Sequence, residues 1–183
     1  AGIPIQIRNT NQPESAGTTI TATAVHRESF SIFAGIAGKK GFSLLIIEKE
    51  AGTQFQVLIQ RVFQAAKNHG LSFQYLQSNA SSICFIVNTQ QYEMAQSAFW
   101  REISQINVPY SQIVQQGFAC IVLVGYGIIH NSKTINRVYE ALNRKRIPVA
   151  MINQGISEIS TWISVQESKM EEAIQILYEE FSN

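Results

Sequence analysis

The pattern of apolar and polar residues predicts the same series of elements twice along the chain. In the first series, an apolar strand is followed by a helix, two strands and a second helix, over Phe42–Lys49, Phe55–Asn68, Leu71–Ser78, Ser81–Asn88 and Tyr92–Ile106. In the second series the same order recurs over Phe118–Gly125, Ile135–Arg146, Ile147–Asn153, Ile159–Val165 and Met170–Phe181. Ser168 and Glu171 predict a capping box at the start of the last helix.

The two series are related by a constant offset. QRVFQAAKNHGLSF aligns with NRVYEALNRKRIPV, which places Arg61 opposite Arg137 at an offset of 137 − 61 = 76. The same offset takes Phe42 to Phe118 and Met94 to Met170. Because one register holds over most of both series, we interpret them as two copies of one supersecondary unit.

The order β-α-β-β-α, closed by a further strand, is typical of the ferredoxin-like fold, in which two helices cover one face of an antiparallel sheet. The sequence thus predicts an α+β protein with two such βαββαβ domains in tandem. NVPYSQIVQQ supplies a closing strand for the first copy, and SFSIFAGIAG is the free strand that closes the second. This strand count predicts that the first domain, residues 39–117, is inserted into the second, residues 30–38 plus 118–183.

The first residues form a separate pattern. Ile3, Ile5 and Ile7 alternate with polar residues and Pro4, which predicts a half-buried strand, and a polar loop follows. A lone strand needs a pairing partner to be stable. We therefore interpret residues 1–29 as the last strand of another domain and a linker.

Composition narrows the function classes. The chain has 183 residues, with 45% hydrophobic and 15% charged residues, and 14 basic against 13 acidic side chains give a net charge of +1. That balance provides no field that favours nucleic acid or an anionic membrane, and no apolar run is long enough to span a bilayer. Cys84 and Cys120 lie in apolar strands, which indicates two small buried residues rather than a disulfide or a metal site. Free cysteines are typical of a protein in the reducing cytoplasm.

Catalytic patterns are not apparent, so no catalytic residue, metal ligand or cofactor is predicted in this chain. His26, His69 and His130 do not lie at ligand spacing from Cys, Asp or Glu, and no nucleophile-elbow, zincin or P-loop pattern occurs. Polar residues concentrate instead at strand–helix turns, in Lys49–Gln56, Ser72–Asn79 and Ile152–Glu158. Such groups could hold the carboxylate and ammonium of a small zwitterion; the alternative is that they are solvated loop residues.

Three segments carry a family resemblance. IPIQIRNTNQPESAGTTI resembles the end of the catalytic domain of aspartate kinases, which phosphorylate the side-chain carboxylate of aspartate. FAGIAGKKGFSLLIIEK resembles the start of their regulatory region, and MINQGISEISTWISV resembles the middle strands of its second half. The resemblance implies tandem ACT domains, ferredoxin-like modules that bind amino acids, with the first inserted into the second. The family's lysine- and glycine-containing phosphate motif does not occur, so we expect no phosphoryl transfer from this chain alone, whereas ATP and Mg²⁺ are implied for the full-length enzyme.

The resemblance also implies an effector site. In the family, lysine, threonine or both bind the first ACT domain at a homodimer interface and cause feedback inhibition. Carried onto this sequence, the site comprises Gly52, Thr53, Gln54, Phe55, Gln56, Val57, Ser72, Phe73, Gln74, Ser78 and Asn79. The corresponding second-half positions are Asn153, Gln154, Ser157 and Glu158. Gln74 stands where the family often has an acidic residue, so a lysine ligand would lose a charged partner.

Two other interpretations of the sequence remain open. The chain could be a stand-alone ACT-type sensor or a purely dimerising module without a working effector site. A nucleic-acid-binding ferredoxin-like pair would need exposed aromatic residues on the sheet within a basic surround. Phe73, Tyr75 and Phe85 are the aromatic residues of the relevant strands, and core packing explains them better at a net charge near zero.

Overall fold

The computed structural model describes residues 3–20, 33–51, 54–105, 108–125, 128, 133–154 and 160–182. The chain divides into two compact units, Ala1–Ser31 and Ile32–Asn183. In the first unit, strands β1 (Ile5–Ile7) and β2 (Thr18–Ile20) form an antiparallel pair with Ile5 opposite Ile20. The strand predicted around Ile5 is present, and its partner follows it in the chain. The side chains of Ile3, Ile5, Ile7 and Ile20 are exposed.

The second unit contains one antiparallel sheet of six described strands with helices between them. In chain order the elements are β3 (Gly35–Lys49), α1 (Phe55–Asn68), β4 (Phe73–Ser78), β5 (Ser82–Asn88), α2 (Thr89–Ser104), β6 (Tyr110–Val124), α3 (Thr134–Arg144), β7 (Val149–Gln154), β8 (Ser160–Gln166) and α4 (Met170–Ser182). The strand order in the sheet is β4-β5-β3-β6-β8-β7. Strands β4 and β7 differ by the repeat offset of 76 at both ends, as 149 − 73 and 154 − 78 show.

Each of the two long central strands serves both copies of the repeat. The C-terminal part of β3, from Phe42, pairs with β5, while its N-terminal part, Gly35–Lys40, pairs with Ala119–Val124 of β6. The second copy therefore takes its closing strand from the chain before the first copy. We call the elements from Phe42 to Gly117 the first half and the remainder of this unit the second half. The predicted fold class, with the first ferredoxin-like domain inserted into the second, is confirmed; the predicted domain bounds stay predictions.

A pair of glycines lets β3 and β6 continue through the junction of the halves. Gly41 and Gly117, which are repeat equivalents, have φ of +89° and +80°, a region that side chains with a Cβ rarely enter. The register of the β3–β6 pairing shifts on either side of Phe42, as at a β-bulge. The sequence predicts a break here, with one strand ending at Gly38 and another beginning at Phe42, whereas the structure has one strand of 15 residues.

Two cores lie under the helices, one in each half. Leu45, Ile47 and Phe85 face α1 and α2, and Ile121, Leu123 and Ile163 face α3 and α4. The alternate positions of the same strands form a third cluster on the face without helices, around Phe42, Leu44, Ile86, Phe118 and Cys120. Tyr75 of β4 and Met151 of β7 both line one small cavity against this cluster. Because β4 and β7 are opposite edges of the sheet, the sheet curves so that the helix-free faces of the two halves pack together.

The helix bounds lie within three residues of the predicted ones, and α4 begins at Met170 as predicted, but its predicted capping box does not form. Ser168 lies in a 3₁₀ turn, Glu167–Lys169, that precedes the helix. The carboxylate of Glu171 instead binds Lys40 of β3, with an Nζ–Oε1 distance of 2.6 Å. The predicted capping box is therefore wrong, because the carboxylate of Glu171 forms an ion pair with Lys40 of β3. None of the described helices is long and apolar enough to cross a membrane.

Candidate functional site

The first part of the predicted effector site is the N-terminus of α1. Gln54 precedes the helix with an extended backbone, and its carbonyl accepts the N–H of Val57 at 3.1 Å. No described side chain caps this terminus, and its first turn contains no acidic residue. Phe55 is buried in the core of the first half, while Gln54 and Gln56 are exposed. Uncapped N–H groups at a helix N-terminus attract a carboxylate. The predicted residues Gly52 and Thr53 lie outside the described residues.

The second part is the edge strand β4. Ser72 and Gln74 are exposed at its start. Phe73 is directed into the core, where its ring lies 4.4 Å from the ring of Phe85 and 5.6 Å from that of Phe63 between centroids. Phe73 can therefore offer a ligand its backbone rather than its side chain. Since β4 pairs only with β5 within the described sheet, its outer backbone edge is open to a further strand.

The polar residues at the end of β4 have a structural role. The Asn79 Oδ1 accepts the N–H groups of Ser81 and Ser82, each at 2.8 Å, and the Ser81 hydroxyl at 3.1 Å. Its Nδ2 donates to Ser82 Oγ at 2.8 Å. This side chain closes the turn between β4 and β5, as asparagine often does in turns, and has little capacity left for a ligand. Ser78, just before it, is exposed.

Within one chain the two parts of the site lie at opposite ends of the first half. Helix α1 starts where β3 ends and β4 ends, and it runs back to the end of the sheet where β4 starts. A helix of 14 residues spans roughly 21 Å. Gln54–Val57 therefore lie far from Ser72–Gln74 of the same chain. A ligand that contacts both must sit between two chains.

The second-half candidates are engaged within the chain. Gln154 Nε2 donates to the carbonyl of Ile128 at 2.9 Å. Asn153 lines the small cavity that Tyr75 and Trp162 also line. Gln154 is thus used within the second half, and Asn153 lies at the contact of this half with the first. Ser157 and Glu158 lie outside the described residues.

Burial changes the acidity of two groups near this contact. Burial raises the pKa of the Cys120 thiol to about 11, although a hydrogen bond with Ser164 partly offsets it. Burial also raises the pKa of Tyr75, with a smaller contribution from the charge of Cys84. Both cysteines are free thiols. These groups are neutral at physiological pH, so they act as packing residues. No group of three His, Cys, Asp or Glu residues that could hold a metal ion occurs within the described residues.

The sequence did not predict a second cavity, of about 280 Å³, at the junction of the halves. Lys39, Gln74, Gln91 and Trp162 are among its lining residues. Strand alternation alone could have placed Lys39 and Trp162 on the helix-free face. That Gln74 and Gln91 of the first half come to the same place depends on the curvature of the sheet, for which the sequence gives no local signal.

Comparison with known proteins assigns the class. The sequence model of the ACT domain family matches residues 121–181, which comprise most of the second half. The regulatory subunit of aspartate kinase from Thermus thermophilus superposes with a TM-score of 0.70 over 82% of this chain and 99% of its own, at 15% identity, a level that shows the fold alone. The fold is that of tandem ACT domains, and the family match lies in the second of them.

Two relatives are more similar to this chain in sequence. Aspartokinase 3 of Bacillus subtilis is 31% identical over 182 residues, which are 99% of this chain and 40% of that protein. The aspartate kinase of Clostridium acetobutylicum superposes with a TM-score of 0.85 at 28% identity, over 98% of this chain and 42% of its own. This chain thus spans about two fifths of the length of these relatives. Its resemblance to the aspartate kinases, and specifically to their regulatory region with tandem ACT domains, is confirmed.

Proposed function

We propose that this chain is the amino-acid-binding regulatory region of an aspartate kinase. Lysine or threonine binds it and inhibits the ATP- and Mg²⁺-dependent phosphorylation of aspartate, as feedback control in a cytoplasmic biosynthetic pathway. The observation that carries the proposal is the separation of the two predicted parts of the site within one chain. One chain cannot contact a small ligand with both parts, whereas two chains that pair along β4 can. Aspartokinase III of Escherichia coli, a fold neighbour at 19% identity with a TM-score of 0.75, is described in complex with lysine and aspartate.

The arrangement of the dimer follows from the edge of β4. Two copies that pair their β4 strands antiparallel bring the start of one strand beside the end of the other. The end of β4 is also where α1 of the same copy begins. Ser72–Gln74 of one copy then meet Gln54–Val57 of the second copy. The uncapped α1 terminus supplies N–H groups for the ligand's carboxylate, and the β4 backbone with the Gln74 amide supplies acceptors for its ammonium.

The exposed side of α1 supports the same interface. Phe63 is 44% exposed and packs edge-on against Phe73 at the start of β4. A second copy paired along β4 would cover Phe63, which is the kind of aromatic residue that interfaces favour. This position therefore provides a way to disrupt the dimer without changing any residue of the effector site.

Inhibition follows from linkage between ligand and quaternary state. An effector shifts an equilibrium only when it binds one state better than the other. A site formed by two chains meets this condition, since a rotation of the pair changes its contacts. We further propose that residues 1–29 connect this region to the catalytic domain and that the exposed Ile3, Ile5, Ile7 and Ile20 pack there.

Calorimetric titration of this chain with lysine, with threonine and with both tests the proposal. Saturable binding of either amino acid at about one ligand per chain supports a working effector site. In the full-length enzyme, the effector and aspartate or ATP should then weaken each other's binding by the same factor. If neither amino acid gives a heat of binding or raises the melting temperature, the proposal is contradicted, and the chain is a module that only dimerises.

A further inference from the structure

The cavity of about 280 Å³ lies between the two halves, on the helix-free face of the sheet. Its floor is a row across three neighbouring strands of the second half, formed by Ala37, Val122 and Trp162, which pair in the order Ala37–Val122–Trp162. Its wall comes from the first half, through Gln74 of β4 and Gln91 of α2. The cavity is therefore formed by both halves of one chain, and Gln74 is the residue of its lining that also belongs to the proposed effector site between chains.

A lysine reaches this cavity from the strand beneath it. Lys40 points to the helix side, where its Nζ binds Glu171 at 2.6 Å. Gly38 faces the same side, because a Cβ at this position would lie 2.6 Å from Ile174 Cδ1 of α4. Side chains alternate along a strand, so Lys39 faces the opposite side and lines the cavity. Among the described residues, no carboxylate forms an ion pair with Lys39.

The chemistry of the lining selects an anion with an apolar part. The described lining contains one cation, three carboxamides and no acidic residue, so a single negative charge suits it. The indole of Trp162 with Val122 and Ala37 offers an apolar floor, and the amides of Gln74 and Gln91 can donate hydrogen bonds to a second carboxylate oxygen. The volume of about 280 Å³ is just below the roughly 300–1,000 Å³ typical of ligand pockets, so the ligand must be a small molecule.

We infer that this cavity is a second ligand site, which binds a small monocarboxylate with an apolar tail. The carboxylate pairs with Lys39 and the tail lies on Trp162. Because the ligand contacts both halves, it stabilises one curvature of the sheet. The inference does not depend on the proposed effector site, since Lys39 and Trp162, which make its main contacts, do not belong to that site.

Fluorine NMR of the protein labelled with 5-fluorotryptophan tests the inference, with hexanoate as the probe. The chain has two tryptophans. Trp162 lies in the cavity, whereas Trp100 lies with the core on the helix side and donates to the Tyr92 hydroxyl at 2.9 Å. Hexanoate should shift the Trp162 resonance saturably with a Kd on the order of 1 mM, and the Trp100 resonance should not move. The neutral hexanamide should bind at least about tenfold more weakly.

Neighbouring lysines provide a matched pair of variants. Lys39→Gln should raise the Kd for hexanoate about tenfold, whereas Lys40→Gln, the same charge change on the other face, should leave it within about twofold. Both side chains are exposed, so neither variant should lose the fold. Equal binding of hexanamide, equal effects of the two variants, or no saturable shift of Trp162 at about 10 mM hexanoate would overturn the inference.

Discussion

Phe42 and Phe118 lie opposite each other on the two central strands, and each is the repeat equivalent of the other, since 118 − 42 = 76. Their exposed fractions are 5% and 4%, and both belong to the cluster that joins the two halves. A local two-fold axis of the repeat therefore passes between these two residues. The halves of this unit share both long strands and this cluster, so we expect them to unfold as one cooperative unit.

Phe42→Ala and Phe118→Ala should therefore destabilise the protein to the same extent. Loss of a buried phenylalanine side chain costs roughly 3–5 kcal/mol, and the symmetric surroundings predict values within about 1 kcal/mol of each other. Urea unfolding followed by both circular dichroism and tryptophan fluorescence measures this. Non-coincident transitions, or a cost confined to one variant, would contradict the shared core.

Gly41 carries a prediction about the bulge. Its φ of +89° disfavours any residue with a Cβ, although a Cβ there would meet no atom within 4 Å. Gly41→Ala should thus cost about 1–2 kcal/mol through backbone strain alone. Gly35→Ala, on the same strand with equally open space and an ordinary φ, is the control and should change the stability by less than about 0.5 kcal/mol. Thermal unfolding of both variants measures this difference. Equal melting temperatures for Gly41→Ala and Gly35→Ala would refute the role of the bulge.

Glu180 carries a prediction about pH. Hydrogen bonds from Arg144, at 2.6 Å, and from Arg137, at 2.9 Å, lower the pKa of its carboxyl below the usual value. A carboxyl with a lowered pKa stabilises the folded state above its unfolded pKa of about 4.3, and this contribution is lost as the pH falls through the folded value. Glu180→Gln should therefore cost about 1 kcal/mol at neutral pH.

The cost of Glu180→Gln should shrink toward zero as the pH falls below about 4, because the wild-type carboxyl is then protonated as well. Glu140→Gln, an exposed position on α3, is the matched control and should show no such trend. Free energies of unfolding, measured by urea titration between neutral pH and a pH below about 4, test this prediction. A cost that is independent of pH would show that the Arg137–Glu180–Arg144 cluster does not act through charge.

The repeat explains why so much of the fold could be predicted from the sequence. The offset that links Arg61 to Arg137 also links β4 to β7, and the count of strands located the insertion. The continuity of β3 could not be predicted in this way. Gly41 is typical of a strand end, and only the pairing of β3 with β6 on both sides of it keeps the strand intact.

The candidate site was predictable only in part. Gln54 and Gln74 are exposed, as an effector site needs, but their separation within one chain is a property of the topology. Asn79 illustrates a further limit, because its ligand-like amide is used by a turn three residues long. Apolar periodicity does not distinguish a polar side chain that serves a turn from one that serves a ligand.

The most direct test of the central claim compares two variants of equivalent aromatic residues. Phe63 on α1 and Tyr139 on α3 are repeat equivalents with exposed fractions of 44% and 45%, and only Phe63 adjoins the start of β4 through Phe73. Sedimentation and calorimetric titration with lysine and threonine should be measured on Phe63→Glu and Tyr139→Glu. The account predicts that Phe63→Glu is monomeric and weakens effector binding at least about tenfold, while Tyr139→Glu retains the dimer and the affinity. A monomeric Phe63→Glu variant that binds the effector with unchanged affinity would contradict a site formed between two chains.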